Sequence, residues 1–415
     1  MNELRHRIER ELRERGPIPF SRYMELCLYD PELGYYSRSA EQFGKAGDFY
    51  TSSDVHAVFG RLLARQFEEM WRLLGSPQHI ELVELGPGRG LFAHDVLDWS
   101  EKKFPRFFRA LHYVLVETSP ALRQRIGATL DRHLGTGKAE LATDANQVAR
   151  GKHHLQTAAP PQHKSQPASD GASALDPPAI FFANEFFDAL PVEILSRQGS
   201  LRIDAREGRF LETWAPPSAE ELEFLDRYSV HPEPGERIEI PLAAQQIMNQ
   251  IAANLNRGFF VTIDYGYTRA EQLAGRHRGT LKAIRQHSIS ANPYESPGEQ
   301  DITSDINFTA LAAAAEAQGL HAQKLITQSQ FLLGIGEANQ FADAFEECRL
   351  PQERAKVVLQ LKHLVTPAGL GESFHVLLAS KGIDEENVDA LSGLSFGRTQ
   401  AWKTPINGQR SANMK

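Results

Sequence analysis

The chain predicts an α/β protein built on a Rossmann-like, doubly wound sheet, and three observations carry that expectation. Short apolar runs rich in β-branched and aromatic residues alternate with helix-period segments from about residue 79 onward. Such alternation buries a parallel sheet between two layers of helices. The first run, HIELV, leads straight into ELGPGRG at 84–90, so a strand breaks into glycines at every second position. The later runs also end in polar residues, and ligands of open α/β sheets bind outside the carboxyl ends of the strands.

Residues 1–75 read as a helical and loop extension. Leu4, Ile8 and Leu12 recur at helix spacing, as do Val55, Phe59, Leu62, Leu63, Phe67, Met70 and Trp71. Between these stretches lies LYDPELGYYSRSAEQFGKAGDFYTSSD, whose Gly, Asp, Ser and Pro content argues for loops. Loops of this length are more often functional than idle. In its last part, Ser53 or Asp54 suits the cap of the next helix, while Asp48, Thr51 and Ser52 are placed to close over a cofactor; spacing alone does not choose.

The core is expected over 76–384. Its strands are IELVEL, YVLVET, AIFFAN and FFVTIDYGY, with helical stretches such as SPALRQRIGATLDRHL between them. AQKLITQ and SFHVLLAS are late candidates to complete the sheet. Two insertions interrupt the core. Residues 155–178 are rich in Pro, Ala and Ser and read as a surface loop. Within 192–235, VEILSRQGSLRIDAREGRFLETW alternates apolar and polar residues as a three-stranded meander, with turns at Gly199-Ser200 and Glu207-Gly208. It serves either as a lid or partner surface or as a plain edge. Residues 385–415 form a tail.

Composition narrows the class. Hydrophobic content of 41% and charged content of 24% are ordinary for a globular protein. A formal charge of -8 argues against a nucleic-acid-binding surface. Two cysteines, Cys27 and Cys348, make no disulfide framework and fit a reducing compartment. Neither has the neighbours of a metal site, and no apolar run approaches the roughly 18 residues of a membrane span. The first residues carry Glu3, Glu9, Glu11 and Glu14, which a transit peptide avoids. A cytoplasmic protein is therefore expected. Oligomeric state is not legible.

The glycine spacing selects a cofactor. A dinucleotide fingerprint needs G-x-G-x-x-G/A, and from Gly86 its last position falls on Leu91; no Gly-Lys-Ser/Thr ending of a phosphate-binding loop follows. Glu84, Gly86, Gly88 and Gly90 instead spell E-x-G-x-G-x-G, the pattern of an S-adenosylmethionine (SAM) site. Glycine admits positive φ and lets backbone approach a ligand, and the helix that follows favours an anion at its N-terminus. Glu117, ending the second strand, caps the next helix if it acts alone; paired with the glycine turn it can hold both ribose hydroxyls.

After the next strand, ANEFFDALP sets Asn184, Glu185 and Asp188 among four phenylalanines, and carboxylates buried there need partners. They either cap the next turn or grip a cationic or amino substrate. Asp264, Tyr265 and Tyr267 can wall the pocket or fill core and edge positions. His287, Asp301, Thr303, Asp305 and Asn307 share a loop-to-helix junction, where Thr303 or Asp305 also suits a helix cap.

Together LYDPELGYY, GKAGDFYTSSDVHAVFG, VELGPGRG, ANEFFDALPVE, IDYGY, GEQDITSDINFTAL, QSQFLLGIG and LVTPAGLGESFHVL resemble one family. It is the MidA-like family of SAM-dependent methyltransferases, which includes the mitochondrial complex I assembly factor 7, a protein arginine methyltransferase. The resemblance implies a class I SAM-dependent methyltransferase fold with an N-terminal helical extension and SAM as cofactor. It also implies a protein partner as substrate, with arginine of a respiratory complex I subunit as acceptor. It puts Gly86 and Gly88 in the SAM loop and Asn184 and Glu185 in an asparagine–glutamate motif. Ile306 stands where the family pattern has valine. On this basis Glu84, Gly86, Gly88, Gly90, Glu117, Asn184, Thr51 and Ser52 are expected to bind cofactor. Glu185 and Asp188 are expected to orient the acceptor. Two other functions fit the same sheet: a binding module that holds SAM without turnover, and a nucleotide-cofactor oxidoreductase, which the failed fingerprint disfavours.

Overall fold

The computed structural model describes residues 2–37, 57–143, 177–285, 288–290 and 292–396. Thr51 and Ser52, with Asp48, Ser53, Asp54 and Val55, lie outside the described residues, as do His287 and almost all of the 155–178 insertion.

Six principal strands carry the central sheet, which has nine strands among the described residues: β1 (Ile80–Leu85), β2 (Leu111–Val116), β3 (Ala139–Ala142), β4 (Ala179–Asn184), β5 (Gly258–Tyr267) and β6 (Phe374–Lys381). Their order across the sheet is β3-β2-β1-β4-β5-β6, parallel throughout except for β6, which runs antiparallel to β5. The sequence order reverses between β1 and β4, so the crevice of a doubly wound sheet opens at their carboxyl ends. The late AQKLITQ stretch supplies two short pieces, His321–Ala322 and Ile326–Thr327, that pair antiparallel with β6. AELA is only four residues long with no β-branched or aromatic side chain, so β3 carries no sequence signal that sets it apart from the helical stretch before it.

Side-chain alternation sorts the strands onto two layers. Leu82, Tyr113, Phe182, Val261 and Ile263 face the helices Ala57–Leu73 and Leu91–Lys103, through Phe59, Phe67, Phe92 and Val96. Val83, Val114, Phe181 and Phe260 face the helices Leu242–Asn254 and Phe308–Ala317, through Met248, Ile251 and Leu311. The strands are apolar on both faces because both faces are covered.

The inserted meander comprises Glu193–Ser196, Gly199–Arg206 and Arg209–Ala215. Its second turn falls at Glu207-Gly208, both with positive φ, as a two-residue hairpin turn requires. Its first turn is Arg197-Gln198 instead of Gly199-Ser200, since Ser196 pairs with Gly199. Gly199 is spent within the ladder, where a Cβ would meet the carbonyl of Ala215 at 2.2 Å. The rest of the 192–235 segment includes a helix, Ala219–Tyr228. Ile18–Pro19 adds a strand to this sheet beside Arg202 and Ile203. The helices Glu3–Arg15 and Phe20–Tyr29 close a third core over it, burying Leu4, Ile8, Leu12, Leu201, Ile203 and Phe210 together.

Candidate active site

A cavity of about 1090 Å³ lies at the carboxyl ends of the strands, just above the roughly 300–1,000 Å³ range of pockets that hold one small ligand. Glu84, Gly86, Gly88, Glu117, Asn184, Glu185 and Asp188 all line it, together with Asp301 and Asp305.

One end is built by the loop after β1. Gly86, Gly88 and Gly90 have φ of 63°, 54° and 75°, a region costly for residues with a Cβ. A Cβ on Gly86 would also lie 2.8 Å from the ring of Phe186. Gly90 caps the helix Leu91–Lys103, whose first turn carries no acidic residue, so its N-terminal N–H groups keep their attraction for a negative group. Glu84 is buried, and Tyr113 Oη donates to its Oε2 at 2.8 Å. Burial raises its pKa to about 8, against the lowering effect of the Tyr113 bond. Glu117 follows β2 and accepts the backbone N–H of Ser119 at 2.7 Å. Burial raises it to about 7, opposed by the N–H groups of Ser119 and Thr118. Gly90 touches the cavity only indirectly, by letting the helix turn close behind the loop against Ile126.

The other end is built by the turn after β4. Asn184 ends the strand, and its Nδ2 donates to Glu185 Oε1 at 3.1 Å. Glu185 has φ of 51°, an uncommon conformation for a glutamate and typical of functional turns. Asp264 supports that turn: Oδ2 accepts the N–H groups of Phe186 and Phe187, both at 3.2 Å, and Oδ1 that of Tyr265 at 2.9 Å. Burial, then the charges of Asp188 and Glu185, push its pKa well up. Tyr265 Oη donates to Asp188 Oδ2. Burial raises Asp188 to about 6, opposed by that bond.

Two oxygens of this wall are notable. Asn184 Oδ1 and Asp188 Oδ1 are buried without a hydrogen-bond partner among the described residues. Buried acceptors are normally satisfied, so a donor brought by a ligand would relieve both. On the neighbouring segment, where the Ser304 N–H donates to the Asp188 carbonyl at 2.9 Å, Tyr36 Oη donates to Asp301 Oδ1 at 2.8 Å. Asp305 is held by Lys282 Nζ at 2.9 Å and His277 Nδ1 at 3.2 Å. The local sequence showed the carboxylates but not Tyr36, Tyr265 and Lys282 as their partners. Nor did it show Asp264 as the brace of the turn, because each contact joins remote segments. Among the described residues no cluster of three or more His, Cys, Asp or Glu could hold a metal. No helix there is long and apolar enough to cross a membrane.

Sheet order, glycine loop and cavity together define a class I methyltransferase. A family model described as S-adenosyl-L-methionine-dependent methyltransferase matches residues 62–326; the chain belongs to that family, and SAM is its methyl donor. The chain is 28% identical to the mitochondrial protein arginine methyltransferase NDUFAF7 homolog of Drosophila melanogaster, over 92% of this chain and 85% of that one. It is 27% identical to the mitochondrial protein arginine methyltransferase NDUFAF7 of Homo sapiens, over 90% and 82%. A Burkholderia thailandensis protein crystallised with S-adenosyl-homocysteine superposes with a TM-score of 0.74 at 26% identity, covering 94% of each chain. Family membership sets aside the oxidoreductase alternative. It also corrects the compartment: these relatives are named mitochondrial, so the cytoplasmic expectation does not stand. That expectation rested on the acidic residues Glu3, Glu9, Glu11 and Glu14 and on free cysteines, and free cysteines mark a reducing environment without specifying which one.

Proposed function

We propose that the chain methylates arginine of a protein substrate, by the resemblance a subunit of respiratory complex I. The observation that carries this reading is the acidic, aromatic end of the cavity: Glu185 beside a buried Asp188 with an unpartnered oxygen, walled by Tyr29, Tyr36 and Tyr265. A guanidinium is cationic and planar, pairs with carboxylates through forked hydrogen bonds and stacks on aromatic rings. The names of the relatives support the same acceptor.

The residues fit the cofactor. The glycine loop offers backbone close to the cavity, Glu117 offers a buried carboxylate for ribose hydroxyls, and Asn184 Oδ1 offers an acceptor for an ammonium group. SAM bound there supplies an electrophilic methyl group on a sulfonium. The protein then has to hold the acceptor nitrogen at attack distance, and such orientation supplies roughly 7–11 kcal/mol. A guanidinium with a pKa above about 12 is a poor nucleophile. Glu185, held in its left-handed turn by Asp264, fixes the guanidinium plane and concentrates electron density on one nitrogen. Asp188, ionised above pH about 6, holds the adjacent N–H.

The experiment is incubation with labelled SAM and extract of a strain lacking the protein, comparing wild type with Glu185→Gln. A methylated band that vanishes in the variant, with methylarginine identified by mass spectrometry, is expected. Equal labelling by the variant would remove Glu185 from the reaction. SAM binding without any labelling would favour a binding module instead.

A further inference from the structure

The LYDPELGYY stretch does more than lend Tyr29 and Tyr36 to the cavity wall: its bonds reach both ends of the cavity. Its segment 29–37 is pinned as a strap. Asp30 is buried and accepts both Arg7 Nη1 contacts at 2.8 and 2.9 Å, together with the N–H groups of Glu32 and Leu33. Gly34 packs so closely that a Cβ would lie 2.5 Å from the Asp30 nitrogen. Tyr29 Oη donates to the carbonyl of Ala189 at 2.8 Å, next to Asp188. The Tyr36 ring lies 5.6 Å from that of Tyr29 and 5.2 Å from that of Tyr35.

Tyr36 makes a bond at each end of the cavity. Its carbonyl accepts the Ser119 hydroxyl at 2.8 Å, and the Ser119 N–H is donated to Glu117. Its own hydroxyl is donated to Asp301 at 2.8 Å. A continuous hydrogen-bonded chain, Glu117–Ser119–Tyr36–Asp301, therefore joins the ribose end to the acidic end.

We infer that Tyr36 is a positioning residue that couples the two sites, so that cofactor in the glycine-loop end raises affinity for a guanidinium at the carboxylate end. This rests on the arginine reading of that end. Coupling between sites is reciprocal and typically amounts to roughly 5–150-fold.

The test uses the full chain, with acetyl-Gly-Arg-Gly-amide as the guanidinium probe and S-adenosyl-homocysteine as the cofactor-site ligand. Wild type is expected to bind the probe at least about 5-fold more tightly when S-adenosyl-homocysteine is saturating. Tyr36→Phe keeps the ring and removes only the hydroxyl. It is expected to bring that ratio near one while S-adenosyl-homocysteine affinity without probe stays within about 2-fold of wild type, far below the coupling lost. Acceptor KM should rise with little change in kcat. A melting curve checks that the variant folds. If it does not, Ser119→Ala cuts the same chain at the Tyr36 carbonyl and is judged by the same ratio. A variant that keeps the wild-type ratio, or a wild type whose ratio is one, overturns the coupling. A wild type that binds no probe under either condition overturns the arginine reading itself, and the coupling with it.

Discussion

The two ends of the cavity are built in opposite ways. The glycine end comes mainly from one contiguous stretch, with Glu84, Gly86, Gly88 and Gly90 packed between a strand and a helix and Glu117 added from the end of β2. The acidic end is assembled from the turn after β4, the end of β5, the small strand Asp301–Thr303 and the N-terminal strap. Tyr36 and Asp301 are 265 positions apart. Backbone shape does the work at the first end, so its determinants are glycines. Charge and hydrogen bonding do it at the second, where each carboxylate needs a partner delivered by the fold. A ligand common to many proteins can be held by a local motif, whereas an acceptor particular to one family has to be recognised by a site that only that fold brings together.

Substitutions can separate the two ends. The largest effect is expected from Glu185→Gln: methyl transfer falls by roughly 100-fold or more, as for lost orientation of a reactant, with SAM affinity unchanged by calorimetry. A parallel loss of SAM binding would merge the ends that the structure keeps distinct. Next comes Gly86→Val. It forces a branched side chain to a φ of 63° and against Phe186. The strain alone is about 1–2 kcal/mol, or roughly 5–30-fold in SAM affinity. Unchanged affinity would show that the ligand does not sit on this loop.

The pH profile probes the acidic end. Asp188 must be ionised to hold a guanidinium, and burial has raised it to about 6. Acceptor kcat/KM should therefore fall as pH drops through about 6, approaching tenfold per pH unit below it for a single required carboxylate. In Asp188→Asn the rate should be low and that limb absent; a limb that survives there belongs to another group.

The smallest effect is expected beneath the glycine loop. Glu84 has a folded pKa of about 8 against an ordinary 4.5, so the fold favours its protonated form. That stabilisation is complete below pH 4.5 and is lost as pH rises through about 8. Glutamine mimics the protonated acid and still accepts from Tyr113. The melting temperature of Glu84→Gln should thus gain on wild type from pH 5 to about pH 8 and level off above it. Parallel curves would mean that Glu84 ionises at its ordinary value. SAM affinity close to wild type in the same variant would mark Glu84 as a support of the loop through Tyr113 more than a ligand contact.

Much of this molecule was legible in the letters. Four parallel strands stood out because both of their faces are buried, and the spacing of Leu4, Ile8 and Leu12 announced the first helix, in which all three are buried. The cofactor followed from glycine spacing alone, because positive φ leaves a signature at fixed offsets. β3 was not legible, being only four residues, none β-branched or aromatic, that gain strand character by pairing with β2. The first meander turn was misplaced because Gly199 looked like a turn residue, whereas the ladder needs its missing side chain.

By itself, the sequence determined the sheet, the helix layers and the SAM loop, since hydrophobic period and backbone freedom are local properties of a chain. Only the tertiary structure decided that Asp264 braces the Glu185 turn, that Tyr265 meets Asp188 and that Tyr36 reaches Asp301. Hydrogen bonds between remote side chains leave no periodic trace. They exist only once burial has brought their donors and acceptors together and made each unpaired one costly.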